Sequence, residues 1–301
     1  MATVTATEPT VAARPEPAQT PEQGEHGWLR WVRLIPLFIG ALVFILPFYY
    51  MVVSALQKDP NPNISGAFPN PNKLSLDNLV NINNAISLPR TLLNSGLFTG
   101  GVLLATLVFG VLAGYALAQL HFRGRQVVFY TMILLLVMPF QLLIIPLYVL
   151  IARNFGLADT LLGMILPFAI NPTAVFIFRQ FFLQLPKDMF EAARIDGASE
   201  LTILTRVVLP LTRPAILTAL LITFIGPWNE FLWPFLITKK LSLQPLAVAL
   251  ANFISTSAQR GPNPYGAILA GATVLAVPVI ILFLIFQRRF VESSIGSAVK
   301  G

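Results

Sequence analysis

The sequence contains no cysteine, which excludes disulfides, thiolate metal centres and cysteine nucleophiles. Histidine occurs only at His26 and His121, too few for a histidine-built metal site. Charge is scarce as well: 11% of the 301 residues are Asp, Glu, Lys or Arg, against about 25% in an average soluble domain. That scarcity excludes an ordinary globular enzyme. No G-x-x-x-x-G-K-[ST] phosphate loop occurs, so the chain is expected not to hydrolyse ATP itself and to carry no cofactor of its own. What fills the sequence is apolar, 55% of all residues. It is arranged in repeated runs of about twenty, each long enough to cross a hydrocarbon core about 30 Å thick.

These runs predict an all-α, polytopic membrane bundle of six transmembrane helices, at about 34–56, 92–118, 127–151, 161–178, 214–237 and 266–286. Residues 1–30 read as a disordered tail, rich in Pro and Glu and without a run that could pack, and residues 31–301 as the membrane domain. The first span follows Arg30 and Arg33 and lacks a small-residue cleavage site, so it is expected to stay as a helix. The 20 Lys and Arg exceed the 13 Asp and Glu by 20 − 13 = 7. With both termini cytoplasmic, seven of these basic residues fall outside (Lys58, Lys73, Arg90, Arg153, Lys239, Lys240, Arg260) and 20 − 7 = 13 inside. The excess therefore reads as loop charge orienting helices in a cell membrane, not as a nucleic-acid footprint. After Ser75, Leu76, Leu79, Ile82 and Ile86 recur at helical spacing, predicting a short helix at the outer interface. Pro167, Pro172 and Pro278 predict kinks, and Gly100, Gly110, Gly114, Ala118 and Gly271 predict close helix crossings.

Between the fourth and fifth spans, residues 183–213 differ in composition from everything around them. Pro186 suits the first turn of a helix and Asp188 complements its dipole. Gly197 can end that helix with a positive φ, and Ser199 can cap a second one carrying Leu201, Leu204 and Val208, which Pro210 is expected to stop. Two short helices with a tight bend result. Ala192, Ala193 and Ala198 give the bend a low profile, and Glu191, Asp196 and Glu200 give it acidic contacts. Chemistry alone leaves two readings, a plug for a groove on another protein or a solvated connector.

Here the chain resembles a known family. Glu191-Ala192-Ala193, Gly197, Val207, Leu209 and Pro210 match the EAA motif of the membrane subunits of binding-protein-dependent ABC importers, with the same gap between Gly197 and Val207. Asn94-Ser95, Gly114-Tyr115-Ala116, Phe122-Arg123-Gly124, Arg179-Gln180-Phe181-Phe182 and residues 228–234 are similar to the carbohydrate branch, in particular its maltose-type second permease subunit. The likeness covers about 34–301. It implies a type I importer permease fold, a homologous permease partner forming a heterodimer, two ATPase subunits carrying ATP and Mg, and an extracytoplasmic sugar-binding protein. It implies further that Glu191, Ala192, Ala193, Asp196, Gly197, Ala198, Ser199, Leu209 and Pro210 form the ATPase-coupling element, and that Val299, Lys300 and Gly301 reach toward the ATPase. The last stretch departs from the family pattern, with Ser293 and Ser297 where Gly is common and Gly296 displaced by one. The resemblance leaves sugar, oligosaccharide, polyol and glycerophosphate cargoes all open.

Other polar residues fall inside or beside spans. Asn94, Gln141, Asn171, Asn229 and Glu230 are candidates for lining a pathway, with helix bridging as the alternative. Glu230 is the one carboxylate well inside an expected span, flanked by Trp228 and Trp233. Two other functions compete with the permease subunit. One is a proton-coupled secondary transporter using Glu230, and the other is a membrane-embedded enzyme, for which no cluster of acids or nucleophiles can be assembled.

Overall fold

Three breaks in the apolar runs fall beside prolines. In the computed structural model, which describes residues 27–257 and 264–298, α1 (Gly27–Ala55) is a single helix containing Pro36 and Pro47. It begins at Gly27, so residues 27–30, expected in the tail, are helical, there being no proline from Gly27 to Ile35 to stop them. Residues up to Pro47 and residues from Phe48 onward are separate units. The described part of the first is helix alone.

The second unit continues through α2 (Asp77–Ile86), α3 (Leu88–Gln119), α4 (Arg125–Val137), α5 (Phe140–Tyr148), α6 (Leu161–Ile165), α7 (Pro172–Leu183), α8 (Lys187–Ile195), α9 (Glu200–Thr202), α10 (Leu209–Leu211), α11 (Arg213–Asn229), α12 (Leu232–Ile237), α13 (Leu246–Ser257) and α14 (Tyr265–Ala298). Segments 34–55, 88–119 and 265–287 are each long and apolar enough to cross a membrane, and three bent pairs bring the number to six where each pair is counted as one span. The bends are 103° between 125–137 and 140–154, 49° between 161–168 and 172–183, and 81° between 200–211 and 213–229. Each break has a proline within two residues, at Pro139, Pro172 and Pro214. A proline pushes its predecessor out of the α region, and Met138 and Asn171 are accordingly extended, with ψ of 123° and 110°. The stretch expected as a straight span at 127–151 is therefore two helices. Pro278 lies within unbroken α14.

The span expected at 214–237 is also two helices, α11 and α12, because the chain turns extended at Glu230. The Glu230 carboxylate accepts a hydrogen bond from the Trp233 amide at 3.1 Å, satisfying a donor at the start of α12. After α12, the carboxylate of Asp159 accepts from the Lys239 and Lys240 amides at 2.6 and 2.8 Å, an arrangement that holds it below the usual carboxylate range, the Lys240 bond contributing most. Helix α13 lies in a stretch read as outer loop. It is apolar but only 12 residues long, too short to span.

α3 is the central helix. Nearly half of it, 44%, is buried, against 11% of the span in α14. Gly114 lets α7 approach, since a Cβ there would stand 2.7 Å from the Phe178 Cβ and 3.1 Å from the Arg179 nitrogen. Gly110 and Gly271 meet neighbours as expected, whereas Gly100 faces open space. The last carbonyls of α3 are satisfied by cationic donors, Arg125 to Ala118 and Leu120 and Arg179 to Leu117. The short helix expected after Ser75 is α2; Leu79, Ile82 and Ile86 of its apolar stripe face protein, while Leu76, just before the helix, is 62% exposed. Ile82 is fully buried, with Leu79 and Ile86 packed beside Leu246, Ala267 and Ala270, because α13 and α14 offer it a dry surface. Outward, Val137, Leu142 and Ile145 are each at least 70% exposed, an apolar exterior suited to lipid or a partner subunit.

Candidate functional site

The bend between α8 and α9 is built by local rules. α8 starts after Pro186, with Asp188 in its first turn and Arg194 in its last, both complementing the helix dipole. Gly197 has φ of +79°, the left-handed conformation that closes a helix, and the Gly197 and Ala198 amides donate back to Arg194 and Ala193. Ser199 Oγ accepts from the Thr202 amide as an N-cap. Pro210 does not stop the second helix. The chain winds as a π-turn over Ile203–Val208 and runs on through α10 to Leu211. A π-turn shifts the carbonyls that the proline ring would otherwise strike.

Apolar side chains fasten this bend to the bundle. Phe190, Ile203, Leu204 and Val208 are all at most 3% exposed and join Val111, Tyr115, Phe178 and Phe182 in one cluster. The cluster unites α3, α7, α8 and the π-turn, so the bend moves only with its helices. Ala193, Ala198 and Leu209 pack partly against it. Glu191, Ala192, Asp196, Gly197, Ser199 and Pro210 are exposed. Ile195, at the end of α8, is 86% exposed, and Leu201 62%. An apolar side chain left out at the tip of a rigid, low-profile bend fits a groove better than it fits water.

Glu200, one of the three acidic residues expected to make contacts at the bend, is half-exposed and makes its contacts within the chain. Its carboxylate accepts from Tyr115 Oη of α3 at 2.6 Å and from Arg194 Nε at 2.8 Å. The bond from Arg194 spans the bend from α8 to α9, and the bond from Tyr115 ties the same carboxylate to α3. The Arg194 hydrogen bond, above all, holds the Glu200 carboxyl below the ordinary range, and Glu200 in turn raises Arg194. A depressed folded-state pKa adds stability that is present above the unfolded pKa and lost as pH falls through the folded one. Glu200→Gln is therefore expected to lower thermal stability at pH 7 and to flatten its decline toward about pH 4. The two side chains are 40% and 42% exposed, so the pair itself contributes no more than about 1 kcal/mol. Thermal scans of both proteins across that range check this.

Of the polar residues in or beside the spans, Asn94, Asn171 and Asn229 are hydrogen-bonded to backbone groups. The Asn94 amide donates to the Ser242 and Gln244 carbonyls at 3.0 and 3.1 Å, stapling α3 to the chain before α13. Asn171 Oδ1 accepts from the Ala174 amide as the N-cap of α7, and Asn229 donates to Ile225 in its own helix. Gln141 is exposed on α5. Val299, Lys300 and Gly301 lie outside the described residues. Among the described residues no group of three or more His, Asp and Glu could hold a metal. Sequence reasoning missed Phe190, Tyr115 and Ile195. The spacing of Phe190 from Ala193 along α8 carried part of the signal.

Fold and bend together define a polytopic all-α membrane permease whose exposed bend is locked to its core. A family model described as binding-protein-dependent transport system inner membrane component matches residues 106–294. The chain belongs to that family. It is 32% identical over 276 residues to the arabinooligosaccharides transport system permease protein AraQ of Halalkalibacterium halodurans, covering 91% of this chain and 97% of that one. It is also 32% identical over 269 residues to the sn-glycerol-3-phosphate transport system permease protein UgpE of Yersinia pestis bv. Antiqua, covering 87% and 95%. Its backbone superposes with a TM-score of 0.74 and 23% identity on a chain of a bacterial ABC transporter that imports the acidic polysaccharide alginate, covering 87% and 96%. The protein is thus an inner-membrane, non-catalytic permease component. The proton-coupled alternative built on Glu230 falls with this assignment, and that carboxylate serves a backbone amide.

Proposed function

We propose that the chain is a transmembrane subunit of an ATP-driven carbohydrate importer, forming the translocation pathway with a homologous permease. Its relatives are permeases for arabinooligosaccharides and for sn-glycerol-3-phosphate, which supports a sugar or sugar-derived cargo. Both termini are cytoplasmic, an extracytoplasmic sugar-binding protein delivers the cargo, and two ATPase subunits carry ATP and Mg. Residues 191–199 dock in a cleft of one ATPase. The observation that carries this reading is the exposed bend anchored by the buried Phe190, Ile203, Leu204 and Val208.

The physics of coupling follows from that anchoring. ATP shifts an equilibrium only through different affinities for two states of the transporter, so closure of the ATPase dimer has to reach the spans through a rigid element. Movement of the bend carries α3 and α7 with it through the aromatic cluster, in which Tyr115 and Phe190 rings lie 6.5 Å apart and Phe178 and Phe182 stack at 6.1 Å. We take Gln141, Asn229 and Glu230, near bends and helix ends, as the residues that meet cargo when the bundle tilts.

The test is reconstitution. The complex purified from its native membrane is expected to contain an ATPase, and vesicles holding it to accumulate cargo with ATP and binding protein, unaffected by a protonophore. Accumulation in vesicles stripped of the ATPase contradicts the proposal.

A further inference from the structure

We propose that the pocket beside the bend is a binding site for a phosphate group, supplied by an anionic lipid headgroup or by a soluble phosphate. The pocket holds about 330 Å³, more than a phosphate needs and far less than an oligosaccharide. Its walls are the end of α3, the turn into α4 and one face of α8, including Gln119, His121, Arg125, Lys187, Glu191 and Arg194. Lys187, Glu191 and Arg194 stand at positions i, i+4 and i+7 of α8, one face of a helix, and that face meets the α3–α4 turn.

The donors converge and the charge is unequal. Arg125 places each Nη on a carbonyl, Ala118 and Leu120, which fixes its guanidinium at the rim with donors to spare. Arg194 is oriented by Nε on Glu200, and Gln119 by its amide on the Phe182 carbonyl at 2.7 Å. Lys187 is exposed, and no ion pair to it occurs among the described residues. Against three cations and an imidazole stand Glu191 inside the pocket and Glu200 behind Arg194. Preoriented guanidinium groups with a lysine suit phosphate oxygens, and basic pockets at the mouth of a helix bundle suit lipid headgroups. Glu191 is the one pocket carboxylate that opposes an anion. On the coupling reading given above, its capture by the ATPase favours phosphate binding, and phosphate binding equally favours that capture, since linkage is reciprocal.

The experiment uses the complex purified from its native membrane, as wild type and as Lys187→Gln, His121→Gln and Lys187→Arg. Native mass spectrometry measures retained phosphatidylglycerol, and thermal shift in phosphatidylcholine nanodiscs measures binding of inorganic phosphate. Lys187→Gln is expected to weaken binding about fivefold and Lys187→Arg to restore it. His121→Gln, at an exposed turn, gives an independent loss should Lys187→Gln fail to assemble. A loss confined to phosphatidylglycerol identifies the lipid source, and a loss confined to inorganic phosphate the soluble one. Either supports the site. No binding by wild type, or unchanged binding in variants that assemble, overturns it. These readouts do not depend on transport, so a failed coupling reading leaves them interpretable.

Discussion

Glu191→Ala is expected to reduce import at least tenfold while the variant still reaches the membrane in normal amount. Glu191 is exposed on α8, and among the described residues it forms no hydrogen bond or ion pair. Alanine is the best helix former, so the change should alter stability by no more than about 0.5 kcal/mol. Apart from the electrostatic effect of Glu191 on Arg194, what the substitution removes is then made with another molecule. Loss of a charge-assisted contact across a desolvated cleft weakens binding by several kcal/mol when its partner stays buried, and the complex should release its ATPase more readily during purification. Import rate, membrane abundance and co-purified ATPase are measured together. Normal import with unchanged ATPase recovery contradicts the coupling role.

Phe190→Ala is expected to act on the other side of the same element. Phe190 is 2% exposed and packs among Tyr115, Phe182 and Leu204, so truncation removes a full aromatic side chain and leaves a void, costing about 3–5 kcal/mol. The bend keeps its outer surface, with Glu191 and Ile195 intact. The ATPase should therefore still bind and hydrolyse ATP, while the ratio of cargo imported to ATP consumed falls several-fold because the joint to α3 is loose. Thermal unfolding and that ratio, measured on one preparation, check both halves. A variant with wild-type stability and wild-type coupling would mean that the aromatic cluster does not transmit the motion.

Composition and periodicity carried the class and the number of apolar runs, since a run of twenty has few alternatives in water. The bend was legible for a similar reason: Gly197 and Ser199 each act through a local backbone rule and sit where those rules put them, while Pro186, expected in the first turn of α8, stands one residue earlier as its N-cap. The breaks at Met138 and at Glu230 were not, because hydropathy counts apolar residues without asking whether Pro139, or the extended backbone at Glu230, allows one axis. α13 was hidden for the opposite reason. It is apolar and half a span long, so a window tuned to twenty residues passes over it. Glu200 looked like its neighbours Glu191 and Asp196 in sequence. Only the approach of Tyr115 from 85 residues away shows that this one carboxylate makes its contacts within the chain.

The absence of cysteine gives a direct test of the central claim. A single cysteine at Ile195, the 86% exposed tip of α8, can be probed with a membrane-impermeant thiol reagent in the assembled complex and again after the ATPase has been stripped away. The account predicts strong protection in the complex and rapid labelling after stripping, with intermediate protection when nucleotide shifts the ATPase dimer between open and closed. Equal labelling with and without the ATPase would place the bend outside the motor's grip and contradict the claim that ATP drives this permease through residues 191–199.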